Sequence, residues 1–160
     1  MSVVSDPLAK IMDWQDARRW RENARGRVAF TNGVFDLIHP GHIDVLLGAR
    51  REGDALVVAV NSDESVRRLK GPGRPVRSAL ERCYVLAALE MVDVVVVFDQ
   101  DTPLELITTL RPDVLVKGGD YTESSVVGAR DVRGWGGTVA IIPLTPGHST
   151  TSTIERLRGP

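Results

Sequence analysis

The stretch Val28-Ala29-Phe30-Thr31-Asn32-Gly33-Val34-Phe35-Asp36-Leu37-Ile38-His39-Pro40-Gly41-His42 decides how this chain is read. It opens on an apolar run without alternation, as in a strand buried on both faces, and a helical pattern begins at its end and runs to about Arg51. Strand, polar turn and helix are the opening half of a βαβ unit. Pro40 suits the first helical turn and Gly41 has no side chain, while His39 and His42, three apart, share one face of the helix start. Unpaired backbone N–H groups and a partial positive charge gather at such a start. Imidazoles that protonate near neutral pH add donors, so the turn predicts a phosphate site. Two histidines that only cap a helix would look the same in isolation, and the rest of the chain has to separate the readings.

Further apolar runs lie at 55–61, 92–98, 114–117 and 139–144, again continuous. Helical patterns at 43–51, 78–89, 103–110 and 124–135 fall between them, and a last helix over 150–157 closes the chain. The alternation predicts an α/β fold: a Rossmann-like doubly wound five-stranded parallel sheet with helices on both faces, its ligand site beyond the carboxyl ends of the strands. Ser78-Ala79-Leu80-Glu81 reads as a capping box, an independent start signal for its helix. An amphipathic helix over 14–24 is expected to pack outside the sheet. The 160 residues fit one domain, with 1–26 as a helical N-terminal extension.

Charged residues make up 26% and hydrophobic residues 42%, at a formal net charge of −1, which argues against disorder and against a general affinity for nucleic acid. A small-molecule partner is expected instead. The single cysteine, Cys83, excludes an intrachain disulfide and points to a reducing compartment. No apolar stretch approaches a membrane span and residues 1–10 lack the hydrophobic segment of a signal peptide, so no membrane association and a cytoplasmic location are expected.

Polar sequences, three of them with glycine, follow four of the predicted strands: the quoted turn, Asn61-Ser62-Asp63, Lys117-Gly118-Gly119-Asp120, and Gly147-His148-Ser149-Thr150-Thr151. Consecutive hydroxyl residues at a helix start exceed what one cap needs and suit a polyphosphate tail. Between the second strand and the next capped helix, Arg67-Arg68-Leu69-Lys70-Gly71-Pro72-Gly73-Arg74-Pro75-Val76-Arg77 reads as a mobile basic lid, with Lys70 its best candidate for substrate contact. A solvated charged loop would have the same composition.

These residues together resemble the cytidylyltransferase-like nucleotidyltransferases. Within them the chain is most similar to the sugar-phosphate branch that makes ADP-heptose from heptose 1-phosphate and ATP. The resemblance runs from about Arg27 onward. It rests on Thr31-Asn32-Gly33-Val34-Phe35-Asp36, His39-Pro40-Gly41-His42, Asn61-Ser62-Asp63, Leu69-Lys70-Gly71 with Arg74-Pro75, Leu115 to Tyr121, and Ser149-Thr150-Thr151. It implies AMP transfer from ATP to a sugar 1-phosphate, releasing pyrophosphate. His39, His42 and Lys70 would be catalytic, and Mg²⁺ would be carried mainly by the nucleotide phosphates with no protein metal ligands. It further implies a nucleotide site of Thr31, Asn32, Gly33, Phe35, Gly41, Lys117, Gly119, Ser149, Thr150 and Thr151, substrate contacts from Asp36, Asp63, Arg74 and Asp120, and a homodimer. In bifunctional relatives this unit is fused to a sugar kinase, and the expectation here is that a separate enzyme makes the sugar 1-phosphate.

Two departures matter. Many relatives carry an arginine soon after the Ser/Thr run, where this chain reads Ser152-Thr153-Ile154-Glu155 and offers only Arg156. The glycerol-phosphate branch carries one just before that run, where this chain reads Leu144-Thr145-Pro146-Gly147, which counts against a CTP-dependent cytidylyltransferase acting on a polyol phosphate. A non-catalytic nucleotide-binding module is the alternative of another class.

Overall fold

Residues 4–119 and 121–159 are described in a computed structural model. Six strands, β1 (Ile11–Met12), β2 (Val28–Gly33), β3 (Ala55–Asn61), β4 (Val94–Phe98), β5 (Val114–Gly118) and β6 (Thr138–Ile142), form one sheet in the order β1-β4-β3-β2-β5-β6. Every pairing is parallel. The helices are α1 (Trp14–Asn23), α2 (Pro40–Arg51), α3 (Asp63–Lys70), α4 (Ala79–Ala87), α5 (Leu104–Leu110), α6 (Ala129–Gly134) and α7 (Thr150–Arg158).

Continuous apolar runs are needed because alternate residues of each strand enter different cores. In β3, Val57 and Ala59 join one core while Leu56, Val58 and Val60 join the other. α1, α5 and α6 cover the first through Ala17, Leu106, Ile107, Leu110, Ala129 and Val132. α2 and α4 cover the second through Leu46, Ala49, Cys83, Leu86 and Ala87. Each large side chain so buried contributes about 1.5–3 kcal/mol. Burial also pushes the Cys83 thiol up to about 11, which makes it a packing residue rather than a nucleophile.

Two features differ from the sequence reading. The sheet has a sixth strand: Ile11 and Met12 pair with Val95 and Val96 on the outer edge, and the Trp14 indole N–H donates to the Val97 carbonyl at 2.8 Å. The segment read as a lid is in part the helix α3, capped by Ser62, whose hydroxyl accepts from the Ser65 amide at 3.0 Å, and ended by Gly71 at φ 93°. The capping box at Ser78 and Glu81 is present at the start of α4.

β2 is central. The chain builds outward from it through α2 to β3 and through α4 to β4, then returns across the other face through α5 to β5 on the opposite side of β2. β2 and β5 are therefore neighbours whose carboxyl ends lead to opposite faces, and the sheet opens there.

Candidate functional site

A cleft of about 780 Å³ lies over the carboxyl ends of the central strands, a volume suited to a nucleotide-sized ligand. Its floor is the turn after β2. Phe35 adopts φ 50°, a left-handed conformation unusual for a bulky residue, and its ring folds back over Gly33, where a Cβ would sit 2.9 Å from Cε2 of the ring. The same ring lies 5.3 Å from that of His42.

His39 occupies the N-cap of α2 and His42 its third position, and the two rings stack with centroids 3.7 Å apart. Gly41 makes room: a Cβ there would lie 3.0 Å from Cε1 and 3.1 Å from Nδ1 of His39. The His39 amide donates to Nδ1 of His42 at 3.3 Å, so a neutral His42 carries its proton on Nε2. Nδ1 of His39 is buried without a partner. A bare buried lone pair costs less than a bare buried N–H, which favours the proton on Nε2 of this ring too.

The expectation that these imidazoles protonate near neutral pH needs correction. Burial first, and the neighbouring His39 second, hold His42 down to about 4. Burial and then His148 lower His39. Two stacked cations would repel each other, which adds to burial in favouring the neutral rings.

Lys70, the last residue of α3, reaches the cleft from one side. Its neighbours Arg67 and Arg68 are committed elsewhere, to Glu64 and to Asp99 and Asp101, whereas Lys70 has no ion pair among the described residues. Residues 71–77 are pinned rather than loose. Asp36, its side chain fully buried, accepts from Nε of Arg74 at 2.7 Å and from the amides of Val76 and Arg77 at 2.9 Å. Burial alone would raise its pKa, but those amides and the Arg74 guanidinium outweigh it and hold the carboxyl below its usual range. Asp36 thus anchors the basic loop while it also lines the cleft.

Asp63 is also redirected. It accepts from Arg82 at 2.8 Å and does not line the cleft. Arg82, among the largest fully buried side chains, also donates to the Val34 carbonyl at 2.7 Å and the Arg77 carbonyl at 3.0 Å, tying the β2 turn, the start of α3 and the end of the basic loop together.

Across the cleft, the penultimate residue of β5 is Lys117, whose Nζ lies 5.6 Å from the Tyr121 ring centroid and whose pKa burial lowers. Gly119 stands just behind the lining, at φ 121°, with its amide bound to the Ile142 carbonyl. Asp120 lies outside the described residues. Ser149 caps α7, and Thr150 donates to the Leu37 carbonyl at 3.3 Å, tying this helix start to the loop that carries His39. Ser149, Thr150 and Thr151 all line the cleft, as do Thr31, Asn32, Gly33, Phe35, Gly41 and Arg74. Arg156 does not; it lines a separate depression and donates to the Ser152 carbonyl.

A family model described as cytidylyltransferase-like matches residues 30–156. The chain belongs to the cytidylyltransferase-like family. Among curated relatives, the bifunctional protein HldE of Acidiphilium cryptum is 59% identical over 160 residues, covering 97% of this chain and 32% of that protein. The protein of the same name from Syntrophotalea carbinolica is 61% identical over 137 residues, covering 85% of this chain and 28% of its own length. The chain thus spans about a third or less of the curated relatives it matches. A solved lipopolysaccharide core biosynthesis protein from Thermoplasma volcanium superposes with a TM-score of 0.62 at 26% identity, over 75% of this chain and 97% of that one. A pantoate-beta-alanine ligase from Francisella tularensis, at 15% identity and a TM-score of 0.59 over 85% of this chain and 68% of that one, shares the fold alone.

For this family member, sequence reasoning gave no role to several cleft residues: Asn61, Phe98, Asp101, Thr102, Tyr121 and His148. Phe98, Asp101 and Thr102 carry no local signal, because they reach the cleft through topology. His148 had one: the chain holds three histidines, and all three line this cleft.

Proposed function

We propose that this protein transfers AMP from ATP to a sugar 1-phosphate, D-glycero-D-manno-heptose 1-phosphate, giving ADP-heptose and pyrophosphate. One observation carries the reading: the paired imidazoles, Lys70 and the hydroxyl-rich start of α7 line a single cleft at the switch point of the sheet. The choice of a heptose phosphate and ATP rests on the motif resemblance. It is supported by the identity to bifunctional HldE proteins and by a structural relative named for lipopolysaccharide core biosynthesis.

A phosphate oxygen of the sugar 1-phosphate attacks the α-phosphorus of ATP in line. The new O–P bond forms as the bond from the α-phosphorus to the bridging oxygen breaks, and that electron pair leaves with pyrophosphate. The nucleophile's second pKa is about 6, so it arrives largely ionised and needs no strong base. The protein's task is positioning and charge stabilisation. The Nε2–H groups of His39 and His42 donate to the non-bridging α-phosphate oxygens, Lys70 approaches from the loop side, and Ser149, Thr150, Thr151 and the first amides of α7 hold the β- and γ-phosphates. Thr31, Asn32, Gly33 and Phe35 form the nucleotide floor, with Lys117 at the sugar or base end. Arg74 acts through the loop it fixes with Asp36.

Among the described residues no group of three His, Cys, Asp or Glu side chains is placed to hold a metal, and the oxygens of Asp36 and Asp63 are engaged by arginines. Mg²⁺, which the resemblance implies, would be carried by the phosphates of ATP and would neutralise part of their charge. Among the described residues no helix is long and apolar enough to cross a membrane. Use of ATP and a sugar phosphate fits a cytoplasmic location.

Pyrophosphate release measured separately with ATP and CTP against heptose 1-phosphate tests the proposal. Turnover with ATP is expected. Turnover with CTP alone overturns the choice of base, and nucleotide binding without turnover on any sugar 1-phosphate leaves a binding module.

A further inference from the structure

The motif at the start of α2 needs two histidines, yet a third imidazole stands beside them. The rings of His39 and His148 lie nearly parallel, 17° apart, with centroids separated by 6.0 Å. A Cβ at Gly41 would sit 3.4 Å from the His148 Cβ, so the loop before α7 touches the helix start at the one position without a side chain. His148 is exposed and has no hydrogen bond to protein among the described residues, which is not the environment of a packing residue. It directly precedes Ser149, the cap of α7.

Charge makes this placement informative. The α7 wall of the cleft is formed by Leu144, Thr145, His148, Ser149, Thr150 and Thr151, and His148 is the one side chain among these that can carry positive charge. Lys70, Arg74 and Lys117 come from other walls, and Arg156 of α7 turns away. The start of α7 is tied to the α2 turn by the bond from Thr150 to Leu37, so on the proposed function a triphosphate with its α-phosphate at His39 and His42 would extend its β- and γ-phosphates toward it. The wall that receives the most negative part of the ligand would otherwise meet it with hydroxyls and amides alone.

We propose that His148 binds the leaving group: its imidazole contacts the β- and γ-phosphates of bound nucleoside triphosphate and holds pyrophosphate as the bond at the α-phosphorus breaks. This rests on the nucleotidyltransferase reading, and the test is arranged so that the two can fail separately. Inorganic pyrophosphate is titrated calorimetrically into the full chain and into His148→Ala and His148→Arg, with a melting curve for each. The alanine variant should bind pyrophosphate about tenfold more weakly, the loss expected for one hydrogen bond to a charged group. The arginine variant, a permanent cation with donors, should stay within about threefold of the parent. In steady-state assays, His148→Ala should raise the KM for ATP and leave the KM for the sugar 1-phosphate unchanged. Parental pyrophosphate affinity in a folded His148→Ala, failure of the parent to bind pyrophosphate, or equal loss toward both substrates overturns the proposal. If no sugar 1-phosphate is turned over while the alanine variant still loses pyrophosphate affinity, the transferase reading falls and the anion contact stands.

Discussion

Replacing Gly41 by alanine separates the chemistry of the α2 turn from its stability. The new Cβ would lie 3.0 Å and 3.1 Å from ring atoms of His39 and 3.4 Å from the His148 Cβ. Favourable carbon contacts begin near 3.5 Å, so the His39 ring must retreat by about 0.5 Å. The backbone need not move, because Gly41 is in the first turn of a helix and its φ is not positive. Alanine is favoured over glycine inside a helix by about 0.5–1 kcal/mol, and crowding against the ring offsets part of that. The melting temperature should therefore stay within about 4 °C of the parent. Activity should not survive so well. A 1 Å misplacement near the chemistry costs about a hundredfold, so half that distance points to about a tenfold fall in kcat. Pyrophosphate release from ATP and heptose 1-phosphate, run beside a thermal melt, measures both. An unchanged kcat in the folded variant refutes the idea that the missing side chain exists to seat His39; a collapsed melting temperature refutes the backbone argument.

Truncating His42 or Lys70 to alanine should each raise the barrier by about 2–4 kcal/mol, a loss of roughly thirtyfold to a thousandfold in kcat/KM. Circular dichroism melts should be near the parent's. Because His42 is held down to about 4 and is neutral at pH 7, a bound triphosphate can only push its pKa upward. ATP binding should then take up as much as about one proton and tighten as pH falls from 7 toward 5. Calorimetry in two buffers of different ionisation heat reads the uptake, and identical heats would contradict it. Asp36→Ala leaves the Arg74 guanidinium and two loop amides without their acceptor, which should cost about 3 kcal/mol of stability by denaturant unfolding. Since the Asp36 pKa is lowered in the fold, its contribution is present above the ordinary carboxylate range and lost as pH falls below about 4.

The parallel sheet was legible because strands buried on both faces require unbroken apolar runs, and the runs at Ala55–Asn61 and Val94–Phe98 could mean little else. The candidate site at the start of α2 was legible because backbone chemistry at a helix start depends on a few adjacent residues. β1 was not, since two residues at a sheet edge carry no period. α3 was hidden by composition: of its eight residues three are cations and only Ser65 and Val66 are buried, so its C-terminal half read as part of a mobile basic lid. The substrate contacts of Asp36 and Asp63 came from the resemblance alone. Their partners, Arg74 and Arg82, lie 38 and 19 residues away, and nothing local announces them. The neutral state of the imidazoles likewise follows from how deeply the folded turn is packed, which the motif alone does not specify.

Arg82 has a consequence for how this molecule breathes. One guanidinium, sealed from water, fastens three stretches of chain that are far apart in sequence. Releasing any one strands a charge in a dry interior, so none can peel away by itself. Amide exchange near Val34, Asp63 and Arg77 should accordingly occur in one concerted event, and the nucleotide floor and the cationic arm would open and shut as one hinged piece.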